Sequence, residues 1–136
     1  MRYLLDTCML VALPQRELGS ERIRGKILLA PSGSLAISAI SAAEIWRGIG
    51  QSRHGKAAKL AFEALLRRLR VVPFDRDAAR EAFDVHRYLD QTGQQIGRMD
   101  PLIAGHAHAL GLVCVTDNTR HFIRISGLTL ENWLRP

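Results

Sequence analysis

The chain has 136 residues, which at roughly 100 to 200 residues per domain leaves room for one domain over residues 1–136 and excludes a two-domain enzyme. Apolar residues make up 47% and charged residues 24%, enough to bury a core and too apolar for a disordered chain. With 19 Lys and Arg against 13 Asp and Glu the formal charge is +6, a bias toward polyanions such as nucleic acid; no apolar run nears the roughly 18 residues of a membrane span, so a cytoplasmic protein with no membrane partner is expected.

Tyr3, Leu4 and Leu5 form an apolar run that stops at Asp6 and Thr7, and residues 9–13 continue it until Pro14. The pattern predicts a buried strand, a polar corner and a short helix. Residues 16–29 read as helical until Pro31, Ser32 and Gly33 break the chain, and residues 35–38 are the next strand. A helix is predicted over 41–50. Another is predicted over 56–70, where Ala58, Phe62, Leu65, Leu66 and Leu69 form a stripe opposite Lys56, Lys59, Glu63, Arg67 and Arg70.

Val71 to Phe74 is a short strand closed by Pro73, after which Asp75 or Asp77 can cap a helix that turns Ala78, Ala82, Val85 and Leu89 inward until Gly93. Residues 93–97 read as a polar loop. Asp100 and Pro101 open a helix over residues 102–110 that ends at Gly111, residues 112–115 are the clearest strand, 116–120 a polar corner, and 128–130 a last strand. Strands alternating with helices call for a three-layer α/β/α sandwich around a mostly parallel sheet. Cys8 and Cys114 give neither a disulfide framework nor zinc-ligand spacing and read as free thiols.

Active sites of such sheets lie beyond the carboxyl ends of the strands, which singles out Asp6, Glu44, Asp100 and Asp117. Each also has a structural reading. Ser41 and Glu44 match a capping box, Asp100 an N-cap, Asp6 the cap of the short helix and Asp117 a turn. Convergence would change the balance, because two carboxylates about 4 Å apart repel by on the order of 4 kcal/mol at an effective dielectric near 20, against about 1 kcal/mol for a cap. Converging acids need a shared proton or a hard cation, and an all-oxygen set favours Mg²⁺ or Mn²⁺ over zinc. His106 and His108 stand two apart, a spacing that points them to different helix faces and away from joint zinc binding.

Four blocks, Leu4 to Thr7, Ile40 to Ile49, Met99 to Ala107 and Gly111 to Phe122, followed by Leu128 to Trp133, resemble in order the PIN domain of VapC-type toxins. The resemblance implies an Mg²⁺- or Mn²⁺-dependent endoribonuclease, the toxin of a type II toxin–antitoxin pair, restrained by a VapB-like antitoxin and usually a homodimer. It carries the family's acids onto Asp6, Glu44 and Asp100, with Asp117 or Asn118 completing the set because His121 stands where many relatives hold another acid. Asp6, Asp100 and Asp117 are then the expected metal ligands, Glu44 the group that handles the attacking water, and Thr7, Arg47, Arg98 and Asn118 the substrate contacts. An amphipathic antitoxin segment is expected between the helices of residues 56–70 and 78–89.

Two other readings compete. The start of the chain also resembles haloacid dehalogenase-like phosphatases, but Cys8 replaces the second aspartate and removes the general acid. A catalytically inactive PIN-like module that binds RNA or protein is the alternative from another class, with His121 in place of an acid as its support.

Overall fold

The computed structural model describes residues 1–11, 13, 19–93 and 98–136. Five strands, β1 (Tyr3–Leu5), β2 (Leu35–Ser38), β3 (Arg70–Val72), β4 (Val113–Val115) and β5 (Leu130–Glu131), form one sheet in the order β3-β2-β1-β4-β5 with every pairing parallel. Consecutive parallel strands need crossovers. The helices α1 (Thr7–Val11), α2 (Ser20–Leu29), α3 (Ala39–Gly50), α4 (Gly55–Leu66), α5 (Arg76–Gln91), α6 (Asp100–Leu110) and α7 (Thr119–Phe122) supply them.

Side-chain alternation sorts the strands onto two faces. Leu5, Ile37 and Val115 join Met9, Ile23, Ile27 and Phe62 under α1 to α4. Leu4, Ala36 and Cys114 meet Ile103 and Ala107 of α6 on the other face, where α5 and α7 add Val85, Leu89 and Phe122. Both faces of the sheet are therefore covered, which makes the predicted three-layer sandwich.

The α5 stripe is the one read from the sequence: Ala78, Ala82, Val85 and Leu89 are all buried, and the Asp75 carboxylate accepts from the Ala78 amide at 3.0 Å as N-cap. Other boundaries move. The helix predicted over 56–70 ends at Leu66, because Arg70 pairs with Ala36 in the sheet ladder. The single turn of α7 was not expected, since one buried residue, Phe122, gives no periodicity to read. Residues 16–18 of the predicted second helix and 94–97 of the predicted loop lie outside the described residues. Strand order reverses on either side of β1, so the crevice for a ligand opens at the carboxyl ends of β1 and β4.

Candidate active site

β1 ends at Leu5 because Asp6 follows it, and the Asp6 amide still donates to the Val115 carbonyl at 2.9 Å, tying the corner to β4. The Asp6 side chain is 3% exposed. Its carboxylate accepts from the Thr7 amide at 2.7 Å, from the Thr116 hydroxyl at 2.8 Å and from the Cys8 thiol at 3.6 Å. Burial raises its pKa and the charge of Glu44 adds to that, while the Thr116 and Thr7 hydrogen bonds oppose the rise.

Glu44 reaches this corner from α3. The capping-box reading fails, because the helix starts earlier: Ser38, the last residue of β2, is the N-cap and accepts from the Ile40 amide at 3.1 Å. Ser41 is thereby inside the helix and buried. Freed from a cap, Glu44 accepts from the Thr7 hydroxyl at 2.7 Å.

Asp100 is likewise no cap. Met99 holds that position without a side-chain bond, Asp100 is the first residue of α6, and its carboxylate accepts from the Asn118 amide group. Burial, and then the charges of Asp6 and Glu44, push the Asp100 carboxyl up to about 6 against the pull of Asn118. The mutual repulsion of Asp6, Glu44 and Asp100 shows that these three share one electrostatic environment.

Asp117 is engaged elsewhere. Its Oδ1 accepts from Asn132 at 2.9 Å and from Arg135 Nε at 2.8 Å, and the Arg135 guanidinium holds its carboxyl below the usual carboxylate range. Asn118 takes the inward position instead, with its amide proton on the Thr116 hydroxyl at 3.1 Å and its side chain on Asp100. Thr116, which sequence reasoning passed over, thus bridges Asp6 to the 117–118 corner; its signal is a hydroxyl placed directly after the apolar β4. Among the described residues no three His, Cys, Asp or Glu side chains are close enough to ligate one ion as they stand, and Thr7 donates to both Asp6 and Glu44.

Arg47, three residues beyond Glu44 on α3, and Arg98, two before Asp100, are exposed and form no ion pair among the described residues. His106 is 1% exposed, edge-on to Phe74 at 5.2 Å, with its pKa lowered by burial; His108 pairs with Glu81 at 2.7 Å. Neither joins the acids. Cys8 and Cys114 are free, and burial pushes the Cys8 thiol up to about 12.

An apolar groove exists, but within the helix layer of α1 to α4 and not between the two helices of residues 56–70 and 78–89. A cavity of about 500 Å³ is lined by α1, α2, α3 and α4, including Leu10, Ile27, Ile45, Ile49 and Phe62, with Glu44 at its rim. The α5 stripe is unavailable because it is buried against α6.

The PIN domain family matches residues 3–128 of this chain. The chain is 30% identical over 133 residues to the tRNA(fMet)-specific endonuclease VapC of Shigella flexneri, covering 98% of each, and 36% identical over 106 residues to ribonuclease VapC2 of Rickettsia felis, covering 78% of this chain and 79% of that one. It superposes with a TM-score of 0.86 and 32% identity on a chain of the DNA-bound VapBC complex from Salmonella typhimurium, over 98% of both. A family match across almost the entire sequence, near-full-length kinship to named nucleases and a shared backbone lead to one assignment: the chain belongs to the PIN-domain family and is a ribonuclease of the VapC type.

Proposed function

We propose that this ribonuclease is the toxin of a type II toxin–antitoxin pair, a cytoplasmic endoribonuclease that cuts RNA with Mg²⁺ or Mn²⁺ bound at Asp6 and Asp100. The observation that carries the reading is Asp100, whose carboxyl is pushed up to about 6 by burial and by two neighbouring acids. No cationic side chain is paired with Asp6, Glu44 or Asp100 among the described residues. A set of oxygen donors with uncompensated negative charge fits a hard cation that keeps several of its waters, and Thr7 and Asn118 add a hydroxyl and an amide to it. Bound there, such an ion lowers the pKa of a water and offsets charge on the phosphodiester.

This chain's own residues do the rest. Asp6 is fixed by three hydrogen bonds and Asp100 by Asn118, so both acids are oriented beforehand. Asn118, in place of a fourth carboxylate, positions Asp100, while Asp117 anchors the corner through Arg135. Glu44, aimed by Thr7, orients the attacking water and takes its proton. Because water and not the ribose 2′-hydroxyl attacks, the products carry a 5′-phosphate and a 3′-hydroxyl. Arg47 and Arg98 contact the flanking phosphates.

The apolar groove beside Glu44 receives an amphipathic segment of a VapB-like antitoxin, in the helix-in-groove manner, and the active protein is a homodimer. The test is RNA cleavage by the purified chain: it requires Mg²⁺ or Mn²⁺, is lost in EDTA and in Asp100→Asn, and is blocked by the antitoxin. Binding of RNA without cleavage under every divalent ion would instead establish an inactive binding module.

A further inference from the structure

Charge is divided between the two rims of the sheet. The segments at the carboxyl ends of the strands bring Asp6, Asp75 and Asp117, and Asp100 opens α6 at the same rim. The segments that lead into the strands, residues 1–2, 30–34, 67–69, 111–112 and 123–129, contain Arg2, Arg67, Arg68 and Arg124 and no aspartate or glutamate. Arg70 then opens β3.

At the β3 edge the basic rim becomes concave. Arg67, Arg68 and Arg70 line a recess of about 560 Å³ together with the turn of Pro31, Ser32 and Gly33. All three arginines are exposed, and none forms an ion pair among the described residues. Packing does not require them there, and like charges gathered in one recess repel each other. Planar guanidinium groups match phosphate oxygens in pairs.

We infer that the recess of Arg67, Arg68 and Arg70 is a second RNA contact, an exosite that holds a phosphate backbone while the acidic rim holds the scissile bond. The inference rests on the ribonuclease reading and adds a second contact for the same polymer. The two rims are separated by the length of the strands, three to four residues or on the order of 10 Å, plus their flanking turns. At about 3.4 Å per stacked nucleotide a strand of three nucleotides at the acids falls short of the recess, whereas a longer or folded RNA occupies both.

Arg67→Glu/Arg70→Glu tests this and leaves Arg68, which also borders the apolar groove. Binding of unfractionated transfer RNA, and of a single-stranded oligoribonucleotide of about three nucleotides, is measured in EDTA over a range of salt. The ratio of transfer-RNA to oligonucleotide affinity falls about tenfold or more, and the log–log salt slope for transfer RNA drops by about 1.5 to 2 units. Arg67→Lys/Arg70→Lys retains the slope, and the single changes Arg67→Gln and Arg70→Gln give intermediate values should the double reversal fail to fold. With Mg²⁺, the loss in transfer-RNA cleavage is in KM and not in kcat. An unchanged slope and ratio overturns the exosite, as does a loss confined to antitoxin affinity, which would assign the recess to an acidic peptide. A wild-type chain that binds transfer RNA with this arginine dependence but cleaves nothing overturns the ribonuclease reading and not the exosite.

Discussion

Asp100 carries two opposed obligations, to bind an ion and to tolerate Asp6 and Glu44. Its carboxyl titrates near 6 in the folded chain and near 3.8 in the unfolded one, so the folded state holds the proton more tightly. A raised carboxyl contributes stability that is fully present below pH 3.8 and is lost as pH rises through about 6. Asp100→Asn removes that loss while keeping an oxygen to accept from Asn118. In EDTA, urea titrations are expected to find the variant no more stable than wild type near pH 4 and clearly more stable at pH 7.5. His106, buried and held neutral, destabilises both proteins on acidification and cancels in the comparison. Cleavage shows the reverse: Asp100→Asn loses at least about 100-fold in kcat, in the range of a lost acid–base or metal-holding group. At limiting Mg²⁺, wild-type activity rises steeply as pH passes 6, because protons and cation compete for the same oxygens. Asp117→Asn breaks the tie to Arg135 and costs far less cleavage than Asn118→Ala, which leaves Asp100 without its donor; initial rates at saturating metal decide the order.

At the next scale, two contacts between elements set where the acids stand. Ser38 closes β2 and caps α3, the helix that carries Glu44, and Ser38→Ala is expected to cost about 1 kcal/mol in urea unfolding and to reduce cleavage. Gly105 of α6 faces α5 so closely that an added Cβ would meet the Ala82 Cα at 2.4 Å. Gly105→Ala therefore forces the helices apart, costing about 3 kcal/mol or more, and displaces Asp100 with them; thermal unfolding and activity fall together. Helix starts are also where the sequence misled. Ser41 and Glu44 have the spacing of a capping box, yet Ser38 lies one turn earlier and closes the strand, and local spacing cannot rank two serines three residues apart. The α5 stripe was legible because a single burial face repeats over 16 residues. So were the three inward acids, since each follows a strand or opens a helix at the carboxyl rim. What sequence could not supply was the partner of each carboxylate: Asn118 for Asp100 and Arg135 for Asp117 each lie 18 residues away, the first brought in by the passage of α6 into β4 and the second by the folding of the tail.

Across the whole molecule, a net charge of +6 conceals a division into an acidic rim and a basic one. Raising ionic strength is expected to weaken RNA binding through the basic rim while relieving repulsion at the acids. In EDTA the second effect partly offsets the first, so Asp100→Asn should show a steeper salt slope than wild type; filter binding of transfer RNA to the two proteins resolves it. No helix among the described residues is long and apolar enough to cross a membrane.

The tail has a further consequence. Asn132 and Arg135 clasp Asp117, Trp133 is 3% exposed against Tyr3, and the Leu134 carbonyl lies where any side chain at Gly19 would sit. A chain that stops before residue 132 keeps Asp6, Glu44 and Asp100 but lacks the clasp that sets the neighbouring corner. Truncation there also strips Trp133 from Tyr3 and is expected to lower the thermal unfolding temperature and the rate of cleavage together.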